Sequence, residues 1–166
     1  MFGGASIYFD GSGDYLTCAG ADFGFGTGDF VIEARVRVDT HSGWACFINF
    51  RNGGAGNMFF GLNQSNVRPV LHQGGVNRIL AASDLSLDTW YHVAIVRSSG
   101  VSRLFIDGVQ SSSDYTDSNN YSAPTDVQFG SEAGGNPFNG WLDEVRIRKG
   151  TDGGWFSGFS VPGSPY

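Results

Sequence analysis

Residues 138–150 read FNGWLDEVRIRKG. Two adjacent carboxylates, Asp143 and Glu144, follow the bulky Trp141 and precede a β-like run from Val145 to Ile147. Carboxylates in such a place can act as a catalytic group, as a metal ligand or as plain surface charge. Glycoside hydrolysis needs two carboxyl groups that flank one sugar bond, roughly 5 Å apart when the configuration is retained. Neighbours on a strand point to opposite faces, so Asp143 and Glu144 do not make that pair. The remaining glutamates are Glu33 and Glu132, and Glu33 is followed on its own face by Arg35 and Arg37 rather than by acids. There is no Gly-x-Ser-x-Gly elbow, phosphate loop or His-Glu-x-x-His pattern. His92 shares a strand with Trp90, has no signalled carboxylate partner, and reads as a satisfied core histidine. The expectation is a protein that is not an enzyme.

The elements that must position these residues are strands. The chain has 166 residues, enough for one domain, taken as 1–166. It contains 26 glycines and only 16% charged residues, while lysine, glutamate and methionine, all good helix formers, are scarce. Aromatic residues make up 14% and are spread along the whole length, which favours a packed core over a low-complexity chain. The net charge of −6 and the absence of a basic run exclude nucleic acid as a partner. No apolar stretch approaches membrane-spanning length, so no membrane insertion is expected. The opening MFGGASIYFD has neither the basic start nor the apolar run of a signal peptide. Cys18 and Cys46 both lie in apolar surroundings and read as buried thiols.

Period-two runs bounded by turn residues dominate the chain. In DFVIEARVRVD, residues 29–39, Phe30, Ile32, Ala34, Val36 and Val38 face one side. Val31, Glu33, Arg35, Arg37 and Asp39 face the other, which is expected to be wet or ligand-facing. TWYHVAIVRSS is apolar on both faces in its middle and reads as a central strand. Gly74-Gly75 and Asp107-Gly108 read as hairpin turns. Pro69 places its strand at an edge or a bulge. Residues 84–90 are ambiguous, with room for one 3₁₀ turn. About eleven short strands and no convincing helix predict an all-β, antiparallel two-sheet sandwich or barrel.

The segments SIYFDGSGDYL, FGFGTGDFVIEARVRVD, TWYHVAIVRSSG, RLFIDGV and FNGWLDEVRIRKG occur in that order. Together they resemble a laminin-G-like, concanavalin A-like jelly roll, of the kind found in phage virion proteins and bacterial surface proteins. The resemblance implies a structural Ca2+ on the outside of the sandwich. Its ligands would be Asp143, with Asp10 or Gly11 and Gly28 or Asp29 supplying turn oxygens, so that the two ends of the chain are clasped together. The alternative for Asp143 is a turn-capping hydrogen bond to backbone N–H groups, with Glu144 solvated.

The fold hosts many functions, so function must come from sites. Glycans need aromatic faces together with amide, carboxylate or guanidinium groups for their hydroxyls. The loops offer Asn52 and Asn57 in RNGGAGN, Tyr115 and Tyr121 in the longest polar loop, and Asn136 in EAGGNPFN. The expected role is a non-catalytic virion surface module, either a capsid decoration or a tail-fibre domain, assembled in host cytoplasm. Its partners would be host-surface glycans, virion capsid or tail proteins, or further copies of itself. The alternative is a lectin-like module of an extracellular or cell-surface protein.

Overall fold

The computed structural model describes residues 5–51, 57–132 and 135–164. The strands are β1 (Ile7–Asp10), β2 (Leu16–Ala19), β3 (Phe30–Val38), β4 (Ala45–Asn49), β5 (Met58–Leu62), β6 (Pro69–Gln73) and β7 (Val76–Leu80). They continue with β8 (Trp90–Ser98), β9 (Val101–Ile106), β10 (Val109–Gln110), β11 (Tyr115–Thr116), β12 (Asp126–Phe129) and β13 (Asn139–Lys149). A seven-stranded sheet runs β1-β13-β3-β8-β9-β10, with β11 also on β9, and a six-stranded sheet runs β2-β12-β4-β5-β6-β7. Every pairing is antiparallel. The expected all-β two-sheet sandwich is therefore observed.

The alternation read in β3 holds on its inner side: Phe30, Ile32, Ala34, Val36 and Val38 are fully buried against the other sheet. β8 is central as expected, between β3 and β9. The 3₁₀ turn falls at Ala21–Phe23 and not in residues 84–90. Pro69 is neither at a sheet edge nor in a bulge. It opens β6, an interior strand, at the one strand position where a missing N–H costs no ladder bond.

The outer side of β3 differs from expectation. Val31 and Glu33 are as buried as the core, because residues 151–164 fold back over the larger sheet. Trp155, Phe156 and Phe159 pack on Val31, Ala94, Val96 and Phe105, and the Trp155 and Phe159 rings stack at 3.8 Å. The Arg103 guanidinium lies 3.9 Å over the Phe156 ring and donates to the Phe156 carbonyl, while Arg35 donates to the Pro162 carbonyl. Close approach is possible because Gly108, in the β9–β10 turn, has no side chain: a Cβ there would sit 1.9 Å from the Phe159 oxygen.

Beneath this strap, the Glu33 carboxylate accepts from His92 Nε2 at 2.9 Å and from Arg146 Nε at 2.6 Å. His92 is thus buried, but outside the space between the sheets, and it does have a carboxylate partner. The sequence reading missed that partner because it lies 59 residues away, on a neighbouring strand. Glu33→Ala would leave His92 and the Arg146 guanidinium without their shared acceptor. The expected loss is about 3–5 kcal/mol of unfolding free energy, the range for breaking a buried pair, measured by urea denaturation against wild type.

Candidate functional site

Among the described residues no aromatic strap crosses the outer face of the six-stranded sheet, yet Cys46, Phe59 and Val70 on it are buried. β4 and β5 carry apolar residues on both sides, and a bulge at Phe47 turns Phe47 and Ile48 inward while Cys46 points out. Trp44, Cys46, Phe59, Val70 and Leu80 form an outer apolar patch. Trp44 meets the Phe59 ring edge-on at 5.6 Å and the His72 ring edge-on at 4.8 Å. The strands are held close here. A side chain on Gly61 would put its Cβ 2.1 Å from the Ala45 carbonyl oxygen.

A tight loop between β12 and β13 brings polar groups onto this patch. Glu132 and Gly135 exchange backbone hydrogen bonds at 2.8 Å, and Asn136 takes a left-handed conformation (φ 50°), which asparagine tolerates better than most residues. The Asn136 carbonyl accepts from Cys46 N–H, which docks the loop beside β4. Arg51 reaches back over the Phe59 ring, 4.6 Å from its centroid, to donate to Glu132 Oε1 at 2.7 Å. Asn136 Nδ2 donates to Glu132 Oε2, also at 2.7 Å. By strand alternation Asn57 faces the same way as Phe59. It is only 4% exposed, and neither atom of its amide has a partner among the described residues. A buried amide left without partners is costly.

At one end of the face the loops enclose a cleft of about 320 Å3, lined by residues that include His41, Trp44, Gln64, Asn136 and Asn139. His41 is itself oriented, since its Nε2 donates to the Asn63 carbonyl at 2.8 Å.

The electrostatics of the face are quiet. Burial pulls His72 below the ordinary histidine value, against a hydrogen bond to Asn77 and with help from Arg51. A neutral ring that donates from Nδ1 to Asn77 keeps Nε2 as an acceptor. Burial pushes the Cys46 thiol well up, Glu132 adds to this and Arg51 opposes it, so the sulfur is a protonated packing group. Arg51 and Glu132 offset one another.

The sequence profile of the concanavalin A-like lectin/glucanases superfamily, in its laminin G form, matches residues 10–151. The chain belongs to this superfamily. Curated protein sequences gave no match. Among solved structures, the domain resembles domain 4 of an extracellular arabinanase from Geobacillus stearothermophilus, in complex with arabinotriose. That likeness has 19% identity and a TM-score of 0.68, and covers 92% of this chain and 80% of the other. It also resembles a native heptameric SAP-like pentraxin from Limulus polyphemus, with 16% identity, a TM-score of 0.62, and 86% and 74% of the chains covered. A third likeness, to the Trypanosoma rangeli sialidase, has 16% identity and a TM-score of 0.63 and covers 89% of this chain, but the match spans only 26% of the sialidase. At these identities the likeness shows the fold.

In this concanavalin A-like domain the residues expected to clasp calcium do not converge. Asp10 pairs with Asn139 at one end of β13, whereas the Asp29 carbonyl accepts from Gly150 at the other, roughly 30 Å away at ~3.3 Å per residue. Asp143 lies between them, opposite Arg35. Gly11 is on the rim of the polar cleft, and Gly28 donates to the Phe25 carbonyl. Each carboxylate already serves the backbone: Asp10 accepts from Ser12, Asp29 from Ser99 and Asp143 from Glu144. No group of three or more His, Cys, Asp or Glu among the described residues is arranged to hold a metal. The turn-capping alternative for Asp143 fits what is observed, with one refinement. Strand register shifts between Asp143 and Arg146, and Glu144 adopts φ 49°, so the two acids open a bulge rather than alternate on a regular strand.

The expected ligand residues separate as well. Asn136 and Asn57 lie on the outer face of the smaller sheet. Asn52 lies outside the described residues. Tyr121 is 1% exposed, packs edge-on against Phe30 and donates to Asp117. Tyr115 packs against the core and accepts from Asn119, at the opposite end of the sandwich from Asn136. Tyr121 therefore offers no free face to a ligand, and Tyr115, partly exposed, lies apart from the asparagines. Cys18 is exposed on edge strand β2, against expectation, while Cys46 is buried.

Sequence reasoning missed Trp44, Phe59, His72, Arg51 and Glu132. The signal was present in WACFINF and MFFGLN, where both alternating sets are apolar.

Two outcomes follow. Asp143→Ala should cost about 1 kcal/mol, the worth of one hydrogen bond at the bulge, and by the same amount in calcium and in EDTA when thermal unfolding is compared. His72 has its folded value below its unfolded one. Its contribution to stability is thus present above the ordinary histidine value and is lost as pH falls toward the lowered one. The melting temperature of His72→Gln should fall less between pH 7 and pH 5 than that of wild type, by calorimetry.

Proposed function

We propose that the protein is a carbohydrate-binding module that takes a neutral glycan on the outer face of its six-stranded sheet. The observation that carries this reading is the junction at Trp44. There the partly exposed rings of Trp44 and His72, backed by the buried Phe59, meet a cleft ringed by amides. Sugar rings present C–H faces that pack on such aromatic rings and hydroxyls that pair with fixed amides, carboxylates and guanidinium groups. Asn136, Gln64 and Asn139 supply amides in the cleft, and Arg51 and Glu132 hold each other in place beside it. The mutual offset of that pair and the neutral His72 favour uncharged sugars. The relative solved with arabinotriose supports a short neutral oligosaccharide as the first ligand to test.

The reading is of binding without cleavage. The three glutamates lie on three surfaces: Glu33 under the strap, Glu132 on the candidate face and Glu144 in the bulge. No two of them are set to flank one glycosidic bond.

Placement of this module on a virion, with capsid or tail proteins as partners, is the second reading. It draws support from an apolar groove of about 680 Å3 at the open edge of the sandwich, lined by residues that include Ile7, Leu16, Phe129 and Val145. Ile7 and Leu16 are nearly half exposed there, on edge strands of different sheets, and assembly on a particle or with further copies would cover them. Light scattering after size exclusion tests it. A stable oligomer that Leu16→Asp dissociates supports assembly, and a monomer at all concentrations counts against it.

For the glycan site, a glycan array followed by titration calorimetry with arabinotriose and the best array hits decides. Trp44→Ala should weaken binding at least about tenfold, one strong stacking contact, with little change in melting temperature. Wild-type protein that binds no glycan on the array would sink the proposal.

A further inference from the structure

The strap leaves part of the larger sheet's outer face open. On this part, β1, β13, β3 and β8 line up four side chains by register: Tyr8 opposite Trp141, Trp141 opposite Arg37, and Arg37 opposite Trp90. All four point outward, since their strand neighbours Phe9, Leu142, Val36 and Tyr91 belong to or pack on the core. Tyr8 is 45% exposed and the two tryptophans are partly exposed. Strands lie about 4.8 Å apart, so the row extends roughly 14 Å across the sheet.

Arg37 is pinned within the row. Its Nε donates to the Asp88 carbonyl, Nη2 donates to the Asp88 carboxylate at 2.7 Å, and Nη1 donates to the Asp39 carboxylate. All three nitrogens are thus engaged. The guanidinium is held as one more planar surface between two indoles, and two carboxylates offset its charge. Side chains spent on such a row gain little for folding, since a surface ion pair is worth 0–1 kcal/mol and the aromatic rings remain in contact with water.

We infer that this row is a second glycan-binding surface, distinct from the cleft at Trp44 and on the opposite sheet, and that its ligand is a single extended chain of neutral sugars. Three observations select that occupant. The row is long and narrow, which suits a chain of sugar rings lying across the strands. The Tyr8 and Trp141 rings are inclined at 44°, with centroids 4.8 Å apart, so this end of the row is not flat and fits a single chain better than a flat crystalline face. The fixed carboxylates of Asp39 and Asp88 at its edge accept from hydroxyls and repel an anionic polymer.

Native affinity electrophoresis in gels containing linear arabinan, arabinoxylan or mixed-linkage β-glucan tests the inference. The proteins compared are wild type, Trp44→Ala, Trp141→Ala, Tyr8→Ala and the Trp44→Ala/Trp141→Ala double variant. Tyr8 is exposed enough for its loss to leave folding intact, which melting temperatures check. The expected result is that at least one polysaccharide retards wild type, that Trp44→Ala keeps part of this retardation, and that Trp141→Ala or Tyr8→Ala weakens it about tenfold. The double variant should run unretarded. Retardation removed entirely by Trp44→Ala would overturn the second surface while leaving the cleft standing. Trp141→Ala and Tyr8→Ala that run like wild type would also overturn it, as would the absence of retardation in all three gels. A wild-type dimer converted to monomer by Trp141→Ala, seen by light scattering, would overturn it by giving the row to a second copy of the chain.

Discussion

A carboxylate with no exposed surface sits on the third strand of this protein, and much of the larger sheet is arranged around it. Burying an unpaired carboxylate costs several kcal/mol even after relaxation. Glu33 avoids that cost by accepting from His92 on one neighbouring strand and Arg146 on the other. The same two contacts lace β8, β3 and β13 together at the middle of the sheet. They also require a dry cover, which the C-terminal residues provide through Trp155 and Phe159, both in contact with the His92 ring. The aromatic strap and the buried carboxylate cluster are therefore packed as one device.

The consequence is an asymmetry between the two outer faces. An antiparallel sheet ordinarily packs one side and wets the other. Here the larger sheet has a second apolar layer under the strap, built from Val31, Ala94, Val96 and Phe105. The smaller sheet shows a similar buried apolar pattern through Phe59 and Val70, though no aromatic strap crosses it among the described residues. What lies on it instead is a short loop, turned by Asn136, that adds an acceptor, an amide and a clamped arginine. Only Trp44, His72 and Leu80 of this layer are partly exposed, and fixed hydrogen-bonding groups border Trp44, an arrangement suited to a binding face.

The inner half of the architecture was legible because alternation is a local property. The five inward residues of β3, the hairpin turn at Asp107-Gly108 and the centrality of β8 all follow from period and turn chemistry. The outer half was not legible in the same way. Whether Val31 and Glu33 are wet depends on a tail more than 100 residues later that has no strand period of its own. Asp143 and Glu144 misled for a related reason. One extra residue in β13 breaks the alternation from which their directions were inferred. The polar loop residues Tyr115 and Tyr121 were read as ligand contacts by composition alone, and composition does not distinguish an exposed ring from one that anchors its loop. Trp44 and Phe59 were recoverable in principle, since a strand apolar on both sides needs two covers and only one was in sight.

A sandwich also constrains how its faces can cooperate. The sheets pack about 10 Å apart, and the side chains of each outer face add to that thickness, so one short oligosaccharide cannot touch both. Sites on opposite faces would act on a short ligand independently. On a long or branched glycan they would act together, because capture at one face raises the effective concentration of neighbouring chains at the other, to the millimolar range when the connection is short and flexible. Modest affinity at each face then suffices for firm attachment to a polymer, while a free trisaccharide is released quickly. The physical economy of the domain runs in that direction: neutral, shape-led surfaces of small area, held rigid by ion pairs that cancel within the protein.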